Sequence, residues 1–489
     1  MGQAMVRALL LAAVLAAAPT PAATLGFDNA RHLLNRTSFA ANPADIDALA
    51  GLTREQAADR LLGWTGKPVV TPPPAWTAET FESRNRFRGM SVEERMLANR
   101  EMVQKVFALR SWWLTEMLVT PSPLTEKMTL FWHNHFVSGQ QKVRSPQLMY
   151  RQNDLLRRHA LGNFGELLHA VARDPAMVIY LDSASNRKGQ PNENFAREVM
   201  ELFTLGEGNY GERDIKEMAR AFTGWSINPE TGEFLFRPFA HDDGEKTVLG
   251  RTGNFDGDAA LDILLAQPQT AEFIVTKLWR EFVSPSPDPA EVRRIARIFR
   301  DSRYDIRAAL GALLVSDAFY ATKNRAALIK SPVELVVGTL RQFNFGTGDV
   351  MPFVLTANQL GQALFAPPNV KGWPGGEAWI NSSTLLARKS FLERLFRVEE
   401  LRPMLAAMDG GMGLPRGVAQ IDDGRERFAR AMMEIRFDSS RWLTQFRDAD
   451  AASVQRVLLA AAPLTAPAPG VQGMELIRQL TQDSAYQLK

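Results

Sequence analysis

The segment "VEERMLANREMVQKVFALRSWWLTEML", residues 92–118, decides the fold class because it reads as one long amphipathic helix. Ser91 is suited to the N-cap, and Glu94, three residues later, completes a capping box in which each side chain satisfies a free backbone N–H group of the other residue. Apolar residues then recur at spacings close to multiples of 3.6, namely at Met96, Val103, Phe107 and Leu114. The pattern predicts a helix.

Similar patterns predict helices over most of the remaining chain. "TPSPLTEKMTLFWHNHF", residues 120–136, begins a second helix after two prolines. Further predicted helices cover residues 147–160, 163–173, 192–205, 212–223, 257–266, 269–283, 288–301, 305–317, 332–343 and 384–397. Strand signals are confined to "GEFLFRPF" at 232–239 and "KTVLG" at 246–250, which we expect to pair as one small hairpin. The sequence therefore predicts an all-α, large multi-helix globular fold with a minor β-hairpin.

Composition narrows the functional classes. The chain has 489 residues, of which 45% are hydrophobic and 23% charged, so it can bury a large core. Its 57 Lys and Arg nearly balance 54 Asp and Glu, and they form no basic run, which argues against a dedicated nucleic-acid binder. The absence of cysteine from the sequence excludes thiolate catalysis, zinc–cysteine sites and iron–sulfur ligation.

The N-terminal segment "MGQAMVRALLLAAVLAAAPTPAAT" has the plan of a secretory signal peptide, which we place at residues 1–23. One positive charge at Arg7 precedes an apolar run from Ala8 to Ala18, and small residues and prolines follow. The run is too short to span a hydrocarbon core of about 30 Å. We therefore expect export to the periplasm or beyond, with no transmembrane span in the mature chain.

Two proline-rich stretches, at 66–76 and 460–470, indicate joints in the chain. We divide the mature chain into four parts: an N-terminal helical segment (24–65), a Pro-rich linker (66–90), a main helical domain (91–392) and a C-terminal helical segment (393–489).

The hexapeptide "FWHNHF", residues 131–136, places His133, Asn134 and His135 among aromatic residues. On a helix the two imidazoles point roughly 200° apart, so they do not form a zinc site of the type in which two histidines stand four residues apart on one face. Each histidine is either a core group with its ring nitrogens satisfied or a candidate metal ligand.

The segment "NENFAREVMELFTLGEG", residues 192–208, predicts a helix that presents polar residues on one side, namely Asn194, Arg197, Glu198 and Glu201. One interpretation is a solvated face with an Arg–Glu pair. The other is a pair of carboxylates presented together, as a hard cation or an acid/base pair requires.

Two later segments add further candidates. After Trp225, the turn "FAHDDGEKTVLG" at 239–250 offers His241 and Asp242, which either hold a metal or only form an Asx-turn. The loop "APPNVKGWPGGEAWINS" at 366–382 carries Trp373 and Trp379, which either line a pocket for an apolar or sugar-like ligand or pack within an Ω-loop.

Taken in order, "FWHNHF", "NENFAREVMELFTLG", "FTGW", the His-Asp turn and "NVKGWPGG" followed by "WINS" closely resemble the bacterial family catalogued as domain of unknown function 1800. The resemblance runs from "RHLLNRTSFA" at 31–40 to "TLLARKSFL" at 384–392. It implies an exported protein with a role in the bacterial envelope, beside an alkaline-phosphatase-like or sulfatase-like partner. It implies no particular reaction.

Three hypotheses follow for the function. In the leading hypothesis, six side chains converge on a divalent Zn, Fe or Mn ion. Glu201 or Glu198 would be the general base of a metal-dependent hydrolase, which we favour over an oxidoreductase. The six ligands would be His133, His135, Glu198, Glu201, His241 and Asp242. Substrate contacts would come from Asn134, Asn194, Arg197, Trp225, Trp373 and Trp379. The alternatives are a non-enzymatic envelope interaction or assembly module and a metal-free glycan-processing enzyme with paired carboxylates.

Overall fold

A computed structural model describes residues 23–81, 89–409, 434–446 and 450–489. Residues 1–22 of the predicted signal peptide lie outside the described residues. The same holds for residues 82–88 of the predicted linker and for two stretches of the predicted C-terminal segment, 410–433 and 447–449.

The described residues form a mostly helical structure, which confirms the predicted fold class. The helices are Gly26–Thr37 (α1), Pro43–Ala50 (α2), Arg54–Gly63 (α3), Val92–Val119 (α4), Pro123–His135 (α5), Gln140–Val143 (α6), Pro146–Arg158 (α7), Phe164–Ala172 (α8), Pro175–Tyr180 (α9), Asn194–Glu198 (α10), Glu212–Ala221 (α11), Gly257–Leu265 (α12), Pro268–Phe282 (α13), Pro289–Asp301 (α14), Ile306–Leu314 (α15), Asp317–Tyr320 (α16), Pro332–Gln342 (α17), Met351–Gln359 (α18), Ser382–Asp409 (α19), Ser439–Leu443 (α20), Ala451–Leu458 (α21) and Gly473–Gln482 (α22). Within this part of the chain, no helix combines the length and apolar character needed to cross a membrane.

Four short strands form two separate antiparallel hairpins: Trp225–Ile227 (β1) pairs with Phe234–Phe236 (β2), and Lys246–Val248 (β3) with Arg251–Gly253 (β4). The predicted pairing of 232–239 with 246–250 is therefore wrong. The reason lies at Leu249 and Gly250, whose φ angles of 49° and 78° are those of a two-residue type I′ turn. The chain reverses there, so β3 pairs with the residues that follow it.

The long helix α4 begins as predicted. The Ser91 hydroxyl accepts a hydrogen bond from the Glu94 N–H, and the Glu94 carboxylate accepts one from the Ser91 N–H at 2.7 Å. Near its other end, the buried Glu116 carboxylate accepts hydrogen bonds from the backbone N–H groups of Val70 and Thr71. The Pro-rich stretch is thus held against α4.

The centre of the fold is formed by α5 and α17, which are buried along most of their length. Because α5 carries Glu126 and Lys127, two opposite charges enter the interior. The Glu126 carboxylate accepts two hydrogen bonds from the Arg157 guanidinium of α7, at 2.7 and 2.9 Å. The Lys127 ammonium forms an ion pair with Glu334 of α17. These pairs fix α5 between α7 and α17.

The outer segments pack on the same core. One cluster of buried apolar side chains includes Leu33 of α1, Leu61 of α3 and Ile477 of α22 together with the central helices. The residues before Lys489 pair with 328–330, and the Lys489 N–H donates to the Leu328 carbonyl at 2.8 Å. This pairing carries the Lys489 side chain into the interior beside Glu334.

Gly338 allows α17 to approach the segment after α1, because a Cβ atom there would overlap the Phe39 carbonyl oxygen. We expect Gly338→Ala to lower the free energy of unfolding by about 1–3 kcal/mol, since backbone must move to relieve the overlap. Gly311→Ala on α15 is the matched control: its Cβ would meet only the flexible end of Leu62, and alanine favours the helix. Denaturant unfolding of both variants checks this, and equal midpoints would contradict it.

Candidate functional site

A cavity of about 460 Å³ opens between α5, α13, the start of α17 and the loop of residues 371–379. Its lining combines basic, acidic and aromatic side chains. The basic ones are Lys127, Lys277, Arg280, Lys371 and Lys489, the acidic ones Glu281 and Glu334, and the aromatic ones Phe131, His135, Trp373 and Trp379.

One face of α5 forms a wall of this cavity. Lys127, Phe131 and Asn134 all line it, and they stand four and three residues apart, so they share a helix face. Asn134 also fastens the opposite wall: its Oδ1 atom accepts a hydrogen bond from the Trp373 N–H at 2.7 Å. Gly372, at φ 81°, lies so close to Asn134 that a Cβ atom would overlap the amide.

The loop after Gly372 turns both of its tryptophans inward. Trp373 and Trp379 are 4% and 6% exposed, and both line the cavity. Of the predicted substrate contacts, the structure thus brings Asn134, Trp373 and Trp379 together around one cavity.

The floor of the cavity is an ion network around Glu334. Its carboxylate pairs with both Lys127 and Lys489, and Lys489 also lies 3.3 Å from Glu281. Burial opposes the charged form of Glu334, but the two ammonium groups outweigh it and hold its pKa below the ordinary value. Burial lowers the pKa of Lys127, whereas at Lys489 the carboxylates of Glu281 and Glu334 outweigh burial and raise the pKa.

The predicted helix 192–205 is interrupted by a π-helical turn at Val199–Thr204, directly after α10. The Leu205 N–H accordingly donates to the Met200 carbonyl, five residues back, at 2.8 Å. The last carbonyls of a helix have no partner within it. Here the Leu202 carbonyl accepts from the Lys277 ammonium at 3.2 Å, and the Phe203 carbonyl accepts from His135 Nε2 at 3.2 Å. The π turn, of a kind often found at functional sites, therefore abuts the cavity.

His135 and Lys277 form a pair within this wall. The Lys277 Nζ atom lies 3.0 Å from His135 Nδ1. Burial, together with the Lys277 charge, lowers the pKa of His135 well below its ordinary value, so the imidazole is neutral. Burial also lowers the pKa of Lys277 to about 8.

His133 points to the other side of α5, as helix geometry predicts. Its ring is buried among Trp113, Phe365 and Trp373, with centroid distances of 5.5, 5.5 and 5.7 Å. Burial lowers its pKa to about 4, and its Nε2 atom has no hydrogen-bond partner among the described residues.

Glu198 and Glu201 interact with each other, since burial and then the charge of Glu201 raise the pKa of Glu198. Glu201 accepts a hydrogen bond from the Tyr210 hydroxyl at 2.6 Å. Lys371 of the cavity loop acts on Glu198 in the opposite direction. The two predicted catalytic carboxylates thus lie beside the cavity region but do not line the cavity itself.

The neighbouring polar residues have structural partners. Arg197 forms a two-pronged ion pair with Glu212, both distances being 2.9 Å, and a further pair with Glu193. The Asn194 amide donates to Asp182 at 3.3 Å. These contacts match the interpretation of a solvated face.

The His-Asp turn belongs to a different cluster. His241 Nδ1 donates to the Thr223 carbonyl at 2.9 Å, and Arg220 binds Asp242 at 2.8 Å and lowers its pKa to about 2. Asp242 also accepts from the Gly244 N–H, which completes an Asx-turn. Trp225 lines a second cavity together with Asn192 and Arg237.

No three His, Asp or Glu side chains among the described residues are grouped so that they could hold a metal ion. The six predicted ligands are spread over four environments, of which the Glu198 and Glu201 pair beside Tyr210 is one. His133 lies in an aromatic box, His135 is bonded to Lys277 and the π turn, and His241 and Asp242 are held by the turn and Arg220. The convergence on one ion that the metal hypothesis requires is therefore not found in this part of the chain.

Comparison with known proteins gives a family for the chain. The model of a family described as "Protein of unknown function (DUF1800)" matches residues 32–484, nearly the whole sequence. The chain belongs to the DUF1800 family. No curated protein and no solved structure matches it.

The basic residues of the cavity in this DUF1800 chain were not identified from the sequence. They come from distant segments, so they form no basic run. A local signal exists on α5, where Lys127 shares a face with Phe131 and Asn134. Another exists on α13, where Arg280 and Glu281 follow Lys277 by three and four residues.

The contact between Gly372 and Asn134 can be tested with a matched pair of glycines. Gly372 and Gly375 have similar φ angles of 81° and 71°, but only a Cβ atom at Gly372 would meet a neighbour. We expect both alanine variants to lose stability from backbone strain, and Gly372→Ala in addition to loosen the Trp373 segment because Asn134 must move. Hydrogen exchange of the 369–381 peptide is the measurement; equal exchange in the two variants would contradict the clamp.

Proposed function

We propose that the protein binds an anionic, ring-bearing ligand, such as an acidic sugar, in the cavity between α5, α13 and the 371–379 loop. The observation that carries this proposal is the charge of the lining. Four cations, Lys127, Arg280, Lys371 and Lys489, face two carboxylates, and Lys277 adds a fifth positive charge whenever it is protonated.

The cations of the cavity differ in whether a carboxylate already neutralises them. Both carboxylates of the cavity already contact Lys489, and Glu334 is shared with Lys127. Arg280 and Lys371 are exposed and form no ion pair among the described residues. A ligand carboxylate, phosphate or sulfate would supply the missing negative charge and form charge-assisted hydrogen bonds to Arg280 and Lys371.

The aromatic wall supports the second part of the proposal. Phe131, Trp373 and Trp379 line one cavity with the cations, so an anion and a flat or ring-shaped group can be bound side by side. Binding sites for small molecules commonly have volumes of about 300–1,000 Å³, and this cavity falls in that range.

Export and a partner are part of the proposal, and both rest on the sequence. The signal-peptide pattern at 1–23 supports a periplasmic or secreted protein. The family resemblance suggests an alkaline-phosphatase-like or sulfatase-like partner, and enzymes of those classes act on anions. The interaction-module and glycan-processing alternatives are compatible with the same cavity, since the first would use it for assembly and the second for an acidic glycan.

The binding proposal predicts that an acidic ring stabilises the protein more than a neutral one does. We expect D-glucuronate or phenyl phosphate to raise the unfolding temperature as mass action requires, and D-glucose to raise it less. Lys371→Gln and Arg280→Gln should reduce the shift, whereas Lys216→Gln, the same charge change at an exposed residue of α11, should not. A larger shift with D-glucuronate would indicate a carboxylate site, and a larger shift with phenyl phosphate would indicate a phosphate site.

The result that would overturn binding of an anion is an equal shift with D-glucose and D-glucuronate, or no loss of the shift in the two cavity variants. Added salt should weaken the shift, because it screens charges near the opening of the cavity.

The metal-dependent hydrolase predicted from the sequence is a second candidate, and the neighbouring carboxylates of Glu198 and Glu201 support it. It predicts stoichiometric Zn, Fe or Mn in the purified protein, lost in the Glu198→Gln/Glu201→Gln double variant. The control is Glu207→Gln, an exposed acid just after the π turn. Elemental analysis of the three proteins decides it, and the same metal content in all three would rule this candidate out.

A further inference from the structure

Lys277 differs from the other lysines of the cavity in what its amine contacts. Lys127 and Lys489 both pair with Glu334, a carboxylate that favours their ammonium forms. The Lys277 amine instead contacts two uncharged acceptors, the Nδ1 atom of His135 and the Leu202 carbonyl. No carboxylate of the described residues is placed to hold its proton by an ion pair.

The direction of these hydrogen bonds follows from His135. Its Nε2 atom lies 3.2 Å from the Phe203 carbonyl, which can only accept, so Nε2 carries the hydrogen of the neutral ring. The Nδ1 atom then has a lone pair and accepts from Lys277. The π turn thus fixes the tautomer of His135, and His135 in turn orients the amine.

The orientation leaves one position of the Lys277 nitrogen free. A neutral amine has two N–H groups, and here His135 and Leu202 accept one each. The remaining tetrahedral position holds the lone pair, and Lys277 lines the cavity. With the pKa near 8, about a quarter of the amine is neutral at pH 7.5, against about one part in a thousand for an ordinary lysine.

We propose that Lys277 is a nucleophile that forms an imine with the carbonyl group of an anionic ligand bound in this cavity. This inference rests on the proposed function, because the neighbouring cations would bind the anionic group of the same ligand. The lone pair of Nζ attacks the carbonyl carbon to form a C–N bond, and the nitrogen protons pass to the carbonyl oxygen. That oxygen leaves as water, and a C=N bond remains. The step needs no oxidant or reductant, and water reverses it.

The ligand class follows from this chemistry. It is a small carbonyl compound with a negative charge close to the carbonyl, such as an oxo acid or an acidic sugar in its open-chain form. Phe131 and the two tryptophans would cover the rest of the molecule. His135 is a positioning residue, since it orients the amine through Nδ1 without contacting the ligand's carbonyl.

Trapping with glyoxylate, an anionic aldehyde, tests the proposal on the intact protein. Cyanoborohydride reduces any imine to a stable carboxymethyl amine, which peptide mass spectrometry locates. We expect Lys277 to be modified at least about tenfold faster than the exposed Lys216 at pH 7.5, with a rate that rises through pH 8. Lys330 is an internal control, because burial lowers its pKa to about 7 but it packs over the Tyr486 ring and does not line the cavity.

Two variants separate positioning from general structure. His135→Asn should slow modification of Lys277 and leave that of Lys216 unchanged, and Lys277→Arg should abolish the adduct at 277 alone. Circular dichroism checks that both variants fold.

Modification of Lys277 no faster than that of Lys216 would overturn the imine proposal. If D-glucuronate still raises the unfolding temperature of the wild type in that case, only this inference fails. If neither effect is seen, the proposed function fails as well. Faster modification of Lys330 than of Lys277 would also overturn the imine proposal, because the reactivity of a lysine would then depend on its burial and not on its position in the cavity.

Discussion

The fold depends on two adjacent charges near the start of a buried helix. Glu126 and Lys127 of α5 point in different directions and are 2% and 4% exposed, so each needs an opposite charge from another helix. Removing one partner of such a buried pair costs roughly 3–5 kcal/mol, because the other charge is left unpaired. The Arg157 pair therefore fixes the position of α7, and the Glu334 pair fixes the position of α17. The same Glu334 also binds Lys489 and forms the cavity floor, so the site shares its main ionic contact with the core.

Much of the helical structure could be predicted because its signals are local. The capping box at Ser91 and Glu94 and the prolines at the start of α5 act within one turn, and both helices begin close to where these residues place them. The β pairing could not be predicted in the same way. It depended on Leu249 adopting a positive φ, and leucine rarely does so. The π turn at Val199–Thr204 was also missed. Its hydrogen-bond partners come from α5 and α13, whereas the spacing of apolar residues reports only on the helix that contains them.

The cavity illustrates the same division between local and distant signals. The opposite directions of His133 and His135 followed from helix geometry alone, and Trp373 and Trp379 stood out by their spacing among glycines. The cations could not be grouped from the sequence, because Lys127, Lys371 and Lys489 are far apart in the chain. The expected meeting of six metal ligands failed for a related reason. Spacing within a helix says which side chains share a face, but not which faces meet, and here the His-Asp turn packs against Arg220 instead.

The buried imidazoles have a consequence for the conditions that the protein tolerates. Burial lowers the pKa of His133 to about 4 and that of His32 to about 3, against an unfolded value of about 6.5. Between pH 6.5 and 4 an unfolded chain takes up protons at these rings and the folded chain does not. At these two rings acid therefore favours unfolding, and the stabilisation from the neutral rings is complete only above pH 6.5. Two imidazole rings in the core thus link the stability of this protein to the acidity of the medium.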